Sequence, residues 1–148
     1  MPERSDITVA EVPWASHAAT LQRVREIVFI DEQRVPREEE WDGQDDSARH
    51  FLATEPNGLA CGCARLLPTG QIGRMAVLAD MRGHGIGMCL LQAALRAAHA
   101  AGMTRVFLHA QTHALEFYRK AGFMAHGDAF MEAGIPHREM VRDLADPP

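Results

Sequence analysis

The sequence predicts an α+β fold with a mixed sheet, its elements running β-α-β-β-β-α-β-α-β-β. Three observations carry this. β-rich runs are separated by tight turn clusters, a long Ala/Leu/Met helix follows a glycine-rich turn, and two further β runs close the chain. Ile7 to Val12 is a short β run ended by Pro13. Ser16 is then placed to cap a helix in which Leu21, Val24, Ile27 and Val28 recur at helical spacing. From Asp31 to Asp46 the periodicity lapses, as in a loop or broken helix. His50 to Thr54 and Leu59 to Leu67 flank Glu55-Pro56-Asn57-Gly58 as an antiparallel hairpin, and Pro68-Thr69-Gly70 turns into Gln71 to Leu78 to complete a meander. The long helix runs to about Ala101 and stops at Gly102. Arg105 to Ala110 is a strand, Thr112 to Ala121 a helix ended by Gly122, and Phe123 to Phe130 and His137 to Leu144 are closing strands. Asp146-Pro147-Pro148 is a tail.

The 148 residues are 47% apolar and 24% charged, the composition of a single globular domain spanning 1–148 that needs neither disulfide nor structural metal. A net charge of −5 is the wrong sign for a nucleic-acid partner. Segment 31–46 holds eight carboxylates against Arg34 and Arg37, a local −6 that leaves +1 for the rest of the chain. Met1 to Asp6 has no basic stretch leading into an apolar one, and Ile86 to Met103 is interrupted by Gln92, Arg96 and His99. The expected location is therefore cytoplasmic, with no membrane partner. Cys61 and Cys63, two apart in a strand, point to one face and read as small buried hydrophobes.

Arg82-Gly83-His84-Gly85-Ile86-Gly87 leaves a strand and opens a helix, where unpaired N–H groups and the helix dipole favour an anion. A dinucleotide fingerprint would need glycine at Met88, and no Gly-Lys-Ser/Thr of a P-loop is present. What remains is Arg82-x-x-Gly85-x-Gly87, a phosphate-binding loop of a third kind. His109 and His113 sit four apart, but Ala110 takes the glutamate slot of His-Glu-x-x-His, and no metal is expected.

That loop, following Met75-Ala76-Val77, resembles the acetyl-CoA pyrophosphate loop of the GNAT N-acetyltransferase superfamily. Ala114, Phe117-Tyr118 and Gly122-Phe123 agree with its later motifs, with Gln111 where asparagine is usual. Val28-Phe29-x-x-Glu32-Gln33-x-Val35, Asp42, His50, Ala64-Arg65-Leu66, Ile72-Gly73-Arg74, Ala110-Gln111 and Gly134-Ile135-Pro136-His137 are similar to the small bacterial ElaA-like branch. The resemblance covers residues 7 to 144 and implies a mixed, mostly antiparallel central sheet flanked by helices.

It also implies acetyl transfer from acetyl-CoA to a primary amine of a small molecule or peptide. The amides of Gly83, His84, Gly85, Ile86, Gly87 and Met88, with Arg82, would take the pyrophosphate. Backbone groups of Met75, Ala76 and Val77 would pair with the pantetheine arm, and Gln111 would lie beside it. Tyr118, the sole tyrosine, would protonate the departing sulfur. A reference phenol near pKa 10 makes that transfer nearly balanced. The strand before the loop offers Gly73, Arg74 and Met75 but no carboxylate, so the general base falls among His137, Glu132, His109 and Glu32, or a water relay. Glu32, Gln33 and His109 are the expected acceptor contacts, with the acidic segment as a rim that attracts ammonium groups. Superfamily members often form homodimers, although no apolar surface stripe demands it here. The rival reading is a non-catalytic acyl-CoA-binding or regulatory module.

Overall fold

The computed structural model describes residues 6–145, so the readings of Met1–Ser5 and of the tail at Asp146–Pro148 lie outside the described residues. Strand β1 (Thr8–Val12) leads into helix α1 (Trp14–Arg25), which continues as π-helical turns over Glu26–Glu32. A short helix α2 (Arg37–Glu40) and one 3-10 turn (Asp45–Ser47) follow within the acidic segment. The meander is β2 (Arg49–Thr54), β3 (Ala60–Leu66) and β4 (Ile72–Val77). Helix α3 (Ile86–Ala100), β5 (Arg105–Gln111), α4 (Leu115–Arg119), β6 (Met124–Glu132) and β7 (Ile135–Asp143) complete the chain.

The expected α+β architecture is present, with its strands in two antiparallel sheets, β1-β2-β3-β4 and β5-β7-β6. They touch at one parallel bridge, Gln71 to Phe107, beside the bond that the Phe107 N–H donates to the Gly70 carbonyl at 3.1 Å. Beyond it β4 and β5 pair no further. A bulge in β4 accompanies this divergence: Arg65 opposes Gly73 and Cys63 opposes Ala76, so β4 carries one residue too many, and Arg74 there has φ +48°. Such a bulge bends its strand and re-aims a side chain.

Leu90, Leu91, Ala94, Leu95 and Ala98 of α3 pack with Phe51, Ala53 and Leu66 in the larger core. Leu21 and Val24 of α1, with Val28, pack with Leu52, Cys63 and Ala76 in the other. Strand β3 between them is buried on both faces.

Several expectations need correction. Helix α1 starts at Trp14 behind Pro13, so Ser16 lies within its first turn, and its hydroxyl bonds the His17 ring rather than capping the helix. A register shift at Ala53/Thr54 leaves Cys61 without an opposite residue, which sends Cys61 and Cys63 to different cores. Both are buried free thiols, pushed up by burial to about 11 and about 12, and are inert as nucleophiles. The helix expected over 112–121 splits into a 3-10 turn (Thr112–Ala114) and α4. No helix among the described residues is long and apolar enough to cross a membrane.

Candidate active site

Helix α3 opens on Gly85 at φ +78°, a left-handed conformation that suits glycine, and no side chain caps it. Its first N–H groups therefore lack an intrahelical partner. Just upstream, Arg82 clamps Glu32 of the π-helical turns through bonds of 2.7 and 2.8 Å and donates from Nε to the Val77 carbonyl at 2.9 Å. The Arg82 hydrogen bond holds the Glu32 carboxyl below its ordinary value. Glu32 thus lies on the glycine-loop side, in the smaller cleft with Gln33, its carboxylate engaged by Arg82.

Where β4 and β5 part, two clefts meet. The smaller, about 550 Å³, is lined by Met75, Ala76, Val77 and Arg82; the larger, about 890 Å³, by Met75, Tyr118, His109, Glu132 and Arg74 among others. Gln33, Met75, Gln111 and His113 face both. Gln111 donates to Gln33 at 3.0 Å and bonds His113 at 2.7 Å, so the side chain in the asparagine position spans the gap.

Tyr118 reaches this junction from α4. Among the described residues its hydroxyl donates only to the Met75 sulfur, at 3.8 Å, and burial pushes the phenol up to about 12. Phe117 and Phe123 fix the ring edge-on. Proton transfer to a thiolate is therefore less balanced than a free phenol suggests. At rest the phenol is protonated and its hydrogen bond goes to the Met75 sulfur.

Three of the base candidates converge. His109 on β5 donates from Nδ1 to Glu132 at 3.0 Å, and the other Glu132 oxygen lies 3.8 Å from His137 Nε2. Because Nδ1 serves a carboxylate, Nε2 of neutral His109 keeps its lone pair. His137 is 6% exposed and donates from Nδ1 to the Ile135 carbonyl at 2.7 Å, which locks it in place. Phe130 packs edge-on to His109 and stacks on His137. A two-residue turn, Ala133-Gly134, with both residues at positive φ, places Glu132 on β6 and His137 on β7 beside β5. His109 and His113 turn to different partners, and no metal-holding group of three His, Cys, Asp or Glu occurs among the described residues.

The acidic segment behaves differently from a free rim. Arg25, Glu40, Arg74, Asp42, Arg65 and Asp45 close a ring of alternating charge, each neighbour within 2.7–3.1 Å. Arg25 is 1% exposed and lies 5.1 Å from the Trp41 ring centre. Burial opposes its charge, but Asp45 and Glu40 more than offset that and raise its pKa. Four acids of the segment are thus engaged by Arg25, Arg65, Arg74 and Arg82, which leaves Glu38 and Glu39 exposed on the cleft edge. The sequence did hold a signal for the ring: Arg25 falls in the apolar stripe of Leu21, Val24 and Val28, and Arg65 in a strand buried throughout.

The profile of the acetyltransferase (GNAT) domain matches residues 17–144. The uncharacterized N-acetyltransferase YjcF of Bacillus subtilis is 36% identical over 123 residues, which are 81% of this chain and 88% of that protein. Escherichia coli ElaA superposes with a TM-score of 0.82 at 30% identity, over 92% of this chain and 99% of that one. A GNAT family acetyltransferase from Elizabethkingia anophelis, solved with acetyl-CoA bound, shares the fold with a TM-score of 0.66 at 18% identity, over 93% and 98% of the two chains. With the glycine-opened helix, the parted strands and the sequence match all in agreement, the chain belongs to the GNAT acetyltransferase family.

Proposed function

We propose that this protein transfers the acetyl group of acetyl-CoA to a primary amine by direct attack. The family uses acetyl-CoA as cosubstrate, and this chain has the parts to hold it. The uncapped start of α3 offers N–H groups to the pyrophosphate, and the parting of β4 from β5 opens the gap beside Met75 and Ala76 to the pantetheine arm. Arg82 would exchange Glu32 for phosphate at small cost, since both partners are about two-fifths exposed and such pairs contribute only about 0–1 kcal/mol.

In the reaction, the amine nitrogen bonds to the thioester carbonyl carbon, the carbon–sulfur bond breaks, and coenzyme A leaves as its thiol. His109 Nε2 takes the proton lost by the amine, with Glu132 orienting the ring and stabilising the imidazolium. Tyr118 passes its hydroxyl proton to the departing sulfur, and the phenolate regains a proton from the His109 imidazolium through solvent, so the net change moves one proton from amine to thiol. His137, bonded to the Ile135 carbonyl, is assigned a supporting place behind Glu132.

The observation that carries this reading is the Tyr118 hydroxyl, on the larger cleft beside Met75, which lines both clefts, with only that weak thioether acceptor among the described residues. The rival reading, a binding module without catalysis, rests on the lack of a carboxylate on β4. Tyr118→Phe separates them. Turnover should fall by about 100-fold or more while coenzyme A affinity is retained. Unchanged turnover removes Tyr118 from the mechanism, and a wild-type protein that binds coenzyme A without turnover supports the module.

A further inference from the structure

Arg74 does not fit a purely structural role in the charged ring. Glu40 is already bonded by Arg25 at 2.7 Å, and Asp42 receives two bonds from Arg65 at 2.8 and 2.9 Å. Arg74 adds only the longer contacts: Nη2 donates to Glu39 O, Glu40 O and Asp42 Oδ2 at 3.1–3.2 Å. Its Nε is buried 3.1 Å from Glu40 Oε2 yet is not aligned to donate, and Nη1 finds no acceptor among the described residues. Burial and the repulsion of Arg65 and Arg25 outweigh Glu40 and Asp42 and hold its pKa below the ordinary arginine value.

The backbone is arranged to put it there. A non-glycine residue at φ +48° is strained, and the β4 bulge centres on it. Arg74 lines the larger cleft directly before Met75, whose sulfur meets the Tyr118 hydroxyl. Nη1 is the part of this guanidinium left to a ligand, and a guanidinium N–H makes charge-assisted hydrogen bonds to a carboxylate. A dianion is a worse fit, because Glu38, Glu39, Glu40 and Asp42 line the same cleft.

We propose that Arg74 is the anion-recognising residue of the acceptor cleft and that the acceptor is an amino carboxylate, a primary amine bearing a carboxylate on the same molecule. This rests on the acetyltransfer reading for the word acceptor, but its test does not require turnover.

Protein saturated with coenzyme A would be titrated calorimetrically with glycine, β-alanine and longer ω-amino acids, each paired with its carboxamide, and with an aminoalkyl phosphate. At least one amino carboxylate should bind about tenfold or more tighter than its carboxamide and tighter than the phosphate. In Arg74→Gly, which relieves the positive φ and leaves Glu40 and Asp42 their other arginines, the preference should fall to about one. Arg74→Lys should keep part of it. A merely structural role would lower both members of a pair equally. Equal or stronger binding of the carboxamides, preference for the phosphate, no binding across the series, or a preference that survives in Arg74→Gly overturns the proposal. Carboxylate discrimination without acetyl transfer would leave it standing and remove the catalytic reading instead.

Discussion

The two sides of the cleft are built from different material. On the glycine-loop side the proposed ligand contacts are main-chain N–H groups at the start of α3 and the parted edge of β4, beside an exposed Arg82–Glu32 pair. On the other side they are side chains held by one another, in the ring around Arg25 and in the His109–Glu132–His137 group. A main-chain site depends on local conformation and tolerates exchange of most side chains. At the buried end of the ring, losing a carboxylate such as Glu40 leaves the Arg25 charge desolvated and short of a partner.

The largest expected effect follows from that contrast. Glu40→Ala leaves the buried Arg25 with one carboxylate fewer and should cost about 3–5 kcal/mol in urea unfolding, whereas Glu32→Ala on the exposed pair should cost under about 1 kcal/mol. Similar losses at the two sites would break the comparison.

His109→Gln comes next, lowering kcat/KM about 100-fold without changing coenzyme A affinity. A variant with wild-type kcat/KM would hand the proton to water.

The ring also sets a pH response. Burial alone would raise Asp42, but the Arg65 bonds, the Gln44 amide and the nearby arginine charges more than offset it and hold its carboxyl at about 2, against 3.8 ordinarily. Asp45 is lowered as well, its burial outweighed by Arg25 and Arg65. A carboxyl lowered in the folded state adds stability above its unfolded pKa and loses it as pH falls through the folded one. Denaturant unfolding should therefore show stability dropping between about pH 4 and about pH 2, and less steeply in Asp42→Asn.

The smallest effect belongs to the main-chain side. Gly85→Ala places a side chain at φ +78° and should cost about 1 kcal/mol, with coenzyme A binding weakened in step. Tighter binding in that variant would contradict a main-chain site.

The same contrast explains what was legible in the sequence. Element order was readable because turn clusters and periodicity are local, and the loop at 82–87 was readable because glycines at fixed spacing dictate a backbone shape. Tyr118 entered through the resemblance and its position after β5. The bulges at Cys61 and Arg74 were not legible, since each is a mismatch in register between two strands, and they moved Cys61 to another face and brought Arg74 into the cleft. The acidic run 31–46 read as a free negative patch because the arginines that engage it come from α1, β3, β4 and the loop before α3. His109, Glu132 and His137 were each visible as candidates, but their meeting around one carboxylate depends on the pairing of β5, β6 and β7.

The most direct test is product analysis after incubating the purified protein with acetyl-CoA and a broad panel of primary amines. Mass spectrometry should show an acetylated amine formed in step with free coenzyme A thiol. Coenzyme binding with neither product across the panel would contradict the account.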